Sequence, residues 1–67
     1  MTEEYDQDGY WAVVSFPVYE ISSDISRKTV SYLMNNEKIT MEFTKSSEFI
    51  RFINWLTKYN KISSTHK

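Results

Sequence analysis

Apolar and polar positions alternate along much of the first two thirds of the chain, a pattern that predicts β-strands. Residues 10–21 are rich in β-branched and aromatic side chains, which favours one long strand. Its even-numbered positions are apolar from Ala12 to Val18, so we expect this face to contact the core. Pro17 cannot donate to a ladder, so the strand lies at a sheet edge or bulges at that point.

A β-hairpin is predicted from residues 27–34 and 37–43. The intervening Asn35-Asn36 pair suits a two-residue turn, because asparagine tolerates positive φ angles. This register puts apolar pairs on one face: Tyr32 with Ile39, and Val30 with Met41. The opposite face is polar except for Leu33, so a slip of one residue would mix the two sets.

Helical spacing follows the hairpin. Residues 44–47 offer N-cap side chains, and Glu48 suits the positive end of a helix dipole. Apolar residues then recur every three or four positions: Phe49, Phe52, Ile53, Leu56 and Tyr59. The pattern predicts an amphipathic helix of roughly 15 residues, whose apolar stripe needs a sheet to cover it.

These elements predict a small two-layer α+β domain of order β-β-β-α. A three-stranded antiparallel sheet would carry one C-terminal amphipathic helix on one face. Residues 1–9 are expected to form an acidic mobile arm, residues 10–61 the single domain, and residues 62–67 a frayed tail. A chain of 67 residues has material for one domain only.

Charge is unevenly distributed along the chain. Residues 1–26 contain six acidic side chains and no basic one, whereas residues 27–67 contain three acidic and eight basic side chains. Such asymmetry indicates an interaction tail, a nucleic-acid face, or an acidic end that lies over the basic end of the same body. The chain has no cysteine, no signal-peptide pattern and no membrane-spanning run, so we expect a cytoplasmic protein of a bacterial or infected host cell.

Candidate catalytic and metal-binding groups are few. The only histidine, His66, is next to the last residue, and no base is placed to activate a serine. Asp6 to Gly9 resemble the start of a calcium-binding loop, but such a loop needs glycine at its sixth position and glutamate at its twelfth, where this chain has Pro17. We therefore expect a non-enzymatic protein with no cofactor and no metal site.

Four apolar residues are left over on the outer side of the predicted sheet: Trp11, Val13, Tyr19 and Leu33. Tryptophan and tyrosine are frequent interface anchors, so this face is predicted to bind a protein. The competing interpretation is that the N-terminal arm covers these residues, or that a bulge at Pro17 turns Tyr19 and Ile21 inward.

We interpret the chain as a small protein-binding module of the kind that phages encode to inhibit or modulate a host or other cellular protein. Many residues with AT-rich codons and few with GC-rich codons indicate an AT-rich genome, as phages often have. One alternative is a small nucleic-acid-binding domain that uses a basic helix face of Arg51, Lys58 and Lys61. A second alternative is a structural homodimer joined through the outer sheet face.

Overall fold

Five antiparallel strands and one C-terminal helix form an α+β fold. A computed structural model describes the backbone of residues 1–64 and the side chains of residues 1–63. The elements are β1 (Thr2–Gln7), β2 (Tyr10–Ser15), β3 (Tyr19–Asp24), β4 (Thr29–Met34), β5 (Glu37–Glu42) and α1 (Ser46–Ser64). The strands make two sheets, β1-β2 and β3-β4-β5. The α+β class with a C-terminal helix is confirmed, but the single three-stranded sheet that we predicted is only one of two sheets.

The first hairpin replaces the expected mobile arm. Strand β1 pairs antiparallel with β2 from Thr2 opposite Ser15 to Gln7 opposite Tyr10. Asp8 and Gly9 form the two-residue connection, with φ angles of 57° and 84°. The prediction of an arm was wrong because this turn reverses the chain and brings the N-terminal segment alongside β2.

The long strand predicted over residues 10–21 is divided at Pro17. Strand β2 ends at Ser15, a cis Phe16-Pro17 peptide follows, and β3 begins at Tyr19 in the other sheet. The amide of Val18 donates to the side chain of Asn60 on α1, at 2.8 Å, which fastens this connection to the helix. The continuous strand was therefore a wrong prediction: the proline, which has no amide hydrogen, marks the crossing between sheets.

The second hairpin matches its prediction in turn and register. Asn35 and Asn36 adopt φ angles of 53° and 66°. Tyr32 pairs with Ile39, and Val30 with Met41. The hairpin is confirmed because turn chemistry and hydrophobic alternation specify the same pairing.

Helix α1 contains 19 residues, four more than the prediction of roughly 15. It begins at Ser46, and residues 62–64 continue it rather than fray. The remainder of the predicted tail, residues 65–67 with His66, lies outside the described residues. Within the described residues, no helix is both long enough and apolar enough to cross a membrane.

Phe52 lies at the centre of the core and joins both sheets to the helix. Its ring centroid is 4.9 Å from that of Tyr5 on β1, 6.3 Å from Tyr32 on β4 and 5.7 Å from Trp55 on α1. The buried set draws on every layer: Tyr5, Val14, Phe16, Val18, Val30, Tyr32, Phe43, Phe49, Phe52 and Leu56. The inward face that we predicted for the first strand segment is confirmed at Val14, Phe16 and Val18, with Ala12 half-buried.

Candidate protein-interaction surface

The outer side of the first hairpin carries six side chains in three cross-strand pairs, which we term the hairpin face: Thr2 with Ser15, Glu4 with Val13, and Asp6 with Trp11. Side chains alternate across a strand, so the inward neighbours include Tyr5 and Val14, both buried. The hairpin face is therefore backed by the core and directed away from it.

Trp11 is the largest group on the hairpin face, and 62% of its surface is exposed. Its indole N–H donates a hydrogen bond to the Glu4 carboxylate on the neighbouring strand. Aromatic rings usually bury most of their area, so this exposed ring contributes little to the core. The hydrogen bond at its edge orients the ring over the hairpin.

The rest of the hairpin face is apolar and acidic. Val13 is 43% exposed, and Glu4 and Asp6 are exposed on the strand beside it. At the end of the hairpin the two strands also share a hydroxyl contact, 3.5 Å between Thr2 and Ser15. The face thus combines a ring, an aliphatic group and two carboxylates on one paired scaffold.

The structure divides the four predicted contact residues between two sheets. Trp11 and Val13 lie on β2, whereas Tyr19 and Leu33 are cross-strand partners on β3 and β4. The prediction of one shared sheet face was wrong because Pro17 separates β2 from β3. Tyr19 is nevertheless exposed at 61%, so the bulge did not turn it inward; Leu33 is half-buried.

Hydroxyl groups make up much of the outer face around Tyr19 and Leu33. The next row across β3-β4-β5 is Ser22, Ser31 and Thr40, with 3.2 Å between the Ser31 and Thr40 hydroxyl oxygens. Apart from Tyr19 and the half-buried Leu33, this second face is polar, which makes it a weaker anchor surface than the hairpin face.

A bulge in β3 opens a cleft beside this second face. The β3-β4 register shifts between Tyr19 and Ser22, and Glu20 has a φ of 53°. The open cleft of about 360 Å³ is lined by Glu20, Ile21, Ser22, Tyr32, Leu33 and Lys38. Its two charged groups have opposite signs, so the lining favours no single ligand charge.

The predicted basic residues lie on α1, where Arg51 and Lys58 each contact another side chain. Arg51 forms an ion pair with Asp8, which lies in the turn between β1 and β2. The Lys58 ammonium lies 5.4 Å from the centre of the Tyr59 ring. Lys61 lies in the last turn. The Asp8–Arg51 pair brings the acidic and basic parts of the chain together at one point, as the self-complementary interpretation of the charges expects. Nucleic-acid binding by this face stays a prediction.

A polar network ties the first hairpin to the start of α1. The Glu48 carboxylate accepts hydrogen bonds from the Tyr10 hydroxyl at 3.0 Å, the Thr44 hydroxyl at 3.1 Å and the Lys45 amide at 3.2 Å. Desolvation opposes the charge on Glu48, but these hydrogen bonds outweigh it and lower the pKa of that carboxyl. The network is structural: it holds the ionised carboxylate at the helix N-terminus.

Tyr5 is the core residue that sequence analysis missed. It is 2% exposed, and its hydroxyl is buried without a hydrogen-bond partner among residues 1–64. Burial raises the pKa of this hydroxyl, and the nearby Asp8 charge raises it further. The overlooked signal was Asp8-Gly9, a strong hairpin turn sequence followed by alternating apolar residues.

Possible metal ligands do not converge in the part of the chain that the structure describes. Within residues 1–64, no three histidine, cysteine, aspartate or glutamate side chains converge on a metal position. Asp6 and Asp8, considered above for a calcium loop, diverge: Asp6 faces Trp11 across the hairpin and Asp8 pairs with Arg51.

Comparisons with known proteins identify no relative. No protein-family model, curated protein or solved structure matches the chain. Function is therefore inferred from the chemistry of the chain's own surface.

Proposed function

We propose that this chain is a protein-binding module and that the hairpin face is its main contact surface. The carrying observation is Trp11, a large ring exposed at 62% on a paired strand. Exposed tryptophans that lie beside other apolar groups are common anchors of protein interfaces, and Val13 supplies such a neighbour.

The scaffold under Trp11 supports this role because it is fixed on its inner side. Val14 on the same strand and Phe16 directly after its end are buried, and Tyr5 on the paired strand contacts the rings of Phe52 and Trp55. A ring held on such a strand loses little conformational freedom on binding, so more of its contact energy contributes to affinity. Exposure on a rigid support therefore favours recognition over core packing.

A partner contact would engage a substantial share of this small surface. A typical specific interface covers roughly 800 Å² on each protein. The accessible surface described here totals 4692 Å², so such a contact would cover about a sixth of it. In the proposed role, the chain acts as a phage-type accessory protein that inhibits or modulates a host or other cellular protein.

Serine substitutions test the proposal. Trp11→Ser and Tyr19→Ser are each compared with Ile25→Ser, which removes another exposed apolar side chain. We expect all three variants to melt close to the wild type, because exposed substitutions usually change stability by less than about 0.5 kcal/mol. Trp11→Ser should weaken capture of the partner from producing cells by ~2 kcal/mol or more. Tyr19→Ser shows whether the contact reaches the second sheet.

The same experiment separates the other interpretations. Normal melting, mass and partner capture in Trp11→Ser would exclude the hairpin face. A wild-type dimer that Trp11→Ser converts to a monomer would support the structural homodimer. Binding of DNA or RNA at low salt, abolished by charge reversal on α1, would support the nucleic-acid alternative; the residues to reverse are Arg51, Lys58 and Lys61.

A further inference from the structure

We propose that the hairpin face recognises an arginine-bearing basic segment of its partner, with a guanidinium stacked on Trp11 and paired with Glu4 and Asp6. The inference rests on the proposed function, because it names the chemistry of the partner that the hairpin face would bind. It is carried by the exposed ring and the charge of the groups around it.

Two carboxylates flank the ring of Trp11 from the adjacent strand. Asp6 is its direct cross-strand partner, and Glu4, two residues earlier on the same side of β1, accepts the hydrogen bond from the indole. Residues two apart on a strand are separated by about 7 Å, a spacing at which both carboxylates could reach one guanidinium group. No basic side chain occurs in residues 1–26 to neutralise them.

The hydrogen bond between Trp11 and Glu4 prepares both groups for a cation. It uses the Oε2 atom of Glu4, and among the described residues Oε1 has no hydrogen-bond partner. Because the bond engages the edge of the indole, the ring face is left for stacking. A guanidinium over this face gains a cation–π contact and can also donate to Oε1, which arginine's planar geometry allows.

Val13 suits the remainder of an arginine side chain. It is the cross-strand partner of Glu4 and is 43% exposed beside Trp11 on β2. The three methylene groups of arginine are apolar, and they commonly pack on apolar surface while the charged end stays hydrated. The hairpin face thus matches both halves of the side chain.

Charge also disfavours two other occupants. If the hairpin face met the same face of a second copy, Glu4 and Asp6 would face the same carboxylates across the contact. Like charges held close in an interface weaken binding, and the phosphates of a nucleic acid would be repelled in the same way. A basic segment of a different protein is the occupant that this electrostatic surface favours.

Two synthetic peptides test the inference directly. One alternates arginine with valine over eleven residues, and the other replaces each arginine with citrulline, which keeps the shape and removes the charge. Binding is followed through the indole N–H resonance of Trp11, identified by its loss in Trp11→Ser. We expect the arginine peptide to shift this resonance and to bind at least about tenfold more tightly than the citrulline peptide, with affinity falling as salt rises.

A pair of double variants provides the matched control. Glu4→Gln with Asp6→Asn removes two charges from the hairpin face, and Glu37→Gln with Glu42→Gln removes two exposed charges from β5. The first should weaken binding of the arginine peptide by about tenfold or more, and the second by less than about twofold. Equal affinity for both peptides, or equal losses in both double variants, would overturn the inference.

Failure here is distinguishable from failure of the proposed function. If Trp11→Ser abolishes partner capture but removal of the Glu4 and Asp6 charges does not, the hairpin face binds a protein without recognising a cation, and this inference falls alone. If Trp11→Ser leaves partner capture unchanged, the proposed function falls, and the inference falls with it. A concentration-dependent dimer that Trp11→Ser abolishes would assign the face to a second copy and would likewise overturn the inference.

Discussion

Tyr5 gives the sharpest test of the first hairpin, because it is the one buried residue of β1. The side chain is 2% exposed, and its ring centroid is 4.9 Å from that of Phe52 and 5.0 Å from that of Trp55. Both contacts are edge-to-face, a favourable arrangement for aromatic pairs. Truncation to alanine would leave a cavity between β1 and α1.

The expected cost of Tyr5→Ala can be worked from two opposing contributions. Removal of a buried aromatic side chain usually costs about 3–5 kcal/mol. The Tyr5 hydroxyl has no hydrogen-bond partner among the described residues, and such a buried group itself costs about 1–3 kcal/mol. With the hydroxyl taken at the lower end of its range, about 1 kcal/mol, we expect Tyr5→Ala to lose about 2–4 kcal/mol and Tyr5→Phe to gain up to about 1 kcal/mol.

Urea unfolding followed by circular dichroism measures both variants. A domain of this size has a total stability of roughly 3–10 kcal/mol, so Tyr5→Ala should be strongly destabilised or largely unfolded. Unchanged stability in Tyr5→Ala would show that residues 2–7 are not attached to the core and that a mobile arm is the correct description. A loss of more than about 1 kcal/mol in Tyr5→Phe would show that the hydroxyl has a stabilising partner.

Three further predictions concern the rest of the fold. Glu20→Gly should raise the melting temperature, with a gain in stability of about 0.5–1 kcal/mol, because glycine adopts the positive φ at the β3 bulge without strain. Glu20→Ala keeps the strain and should not raise the melting temperature. Leu56→Ala, at a fully buried site on α1, should lower the free energy of unfolding by about 2–5 kcal/mol, whereas Ile50→Ala on the exposed side should lower it by less than about 0.5 kcal/mol. Equal losses in urea unfolding would show that a different face of α1 packs on the core. Hydrogen bonds lower the folded-state pKa of the Glu48 carboxyl, so the stability that its ionised form contributes is present above the unfolded pKa of 4.5 and is lost as pH falls through the folded pKa. The stability difference between the wild type and Glu48→Gln should therefore shrink on acidification, and a difference independent of pH would contradict this reasoning.

Elements were predictable from sequence where two local signals agreed. In the second hairpin, the Asn35-Asn36 turn and the alternation of Val30 and Tyr32 specify one register, and the structure has that register. The apolar stripe of α1 was equally clear, because Phe52 and Leu56 fall on the same side of a helix. Agreement between turn chemistry and alternation therefore identified the hairpin, and helical periodicity identified α1.

Strand β1 was missed because its hydrophobic signal is one residue long. Of its six positions only Tyr5 is buried, and Glu3, Glu4 and Asp6 gave the segment the composition of a solvated arm. The stabilisation comes from contacts that are distant in sequence, between Tyr5 and residues of α1. The composition of a segment does not reveal contacts with residues distant in sequence, although the Asp8-Gly9 turn did indicate a hairpin.

The candidate site was predictable only in part, because local alternation shows which side chains are exposed but not which strands are paired. Alternation along residues 10–19 correctly predicted that Trp11, Val13 and Tyr19 are exposed. It did not reveal that the chain changes sheets at Pro17, because a proline in a strand pattern is equally consistent with an edge or a bulge. The acidic half of the hairpin face was overlooked together with β1, since Glu4 meets Trp11 only once that strand is paired.

Site-specific photocrosslinking in the producing cells tests most directly whether the hairpin face is a protein contact. A benzophenone side chain is placed at Val13 on the hairpin face or, as control, at Thr40 on the hydroxyl row of the other sheet. We expect a crosslink to one discrete protein from position 13, its loss when Trp11→Ser is added, and no such product from position 40. Equal crosslinking from both positions, or a position-13 product that survives Trp11→Ser, would show that the hairpin face is not the protein contact.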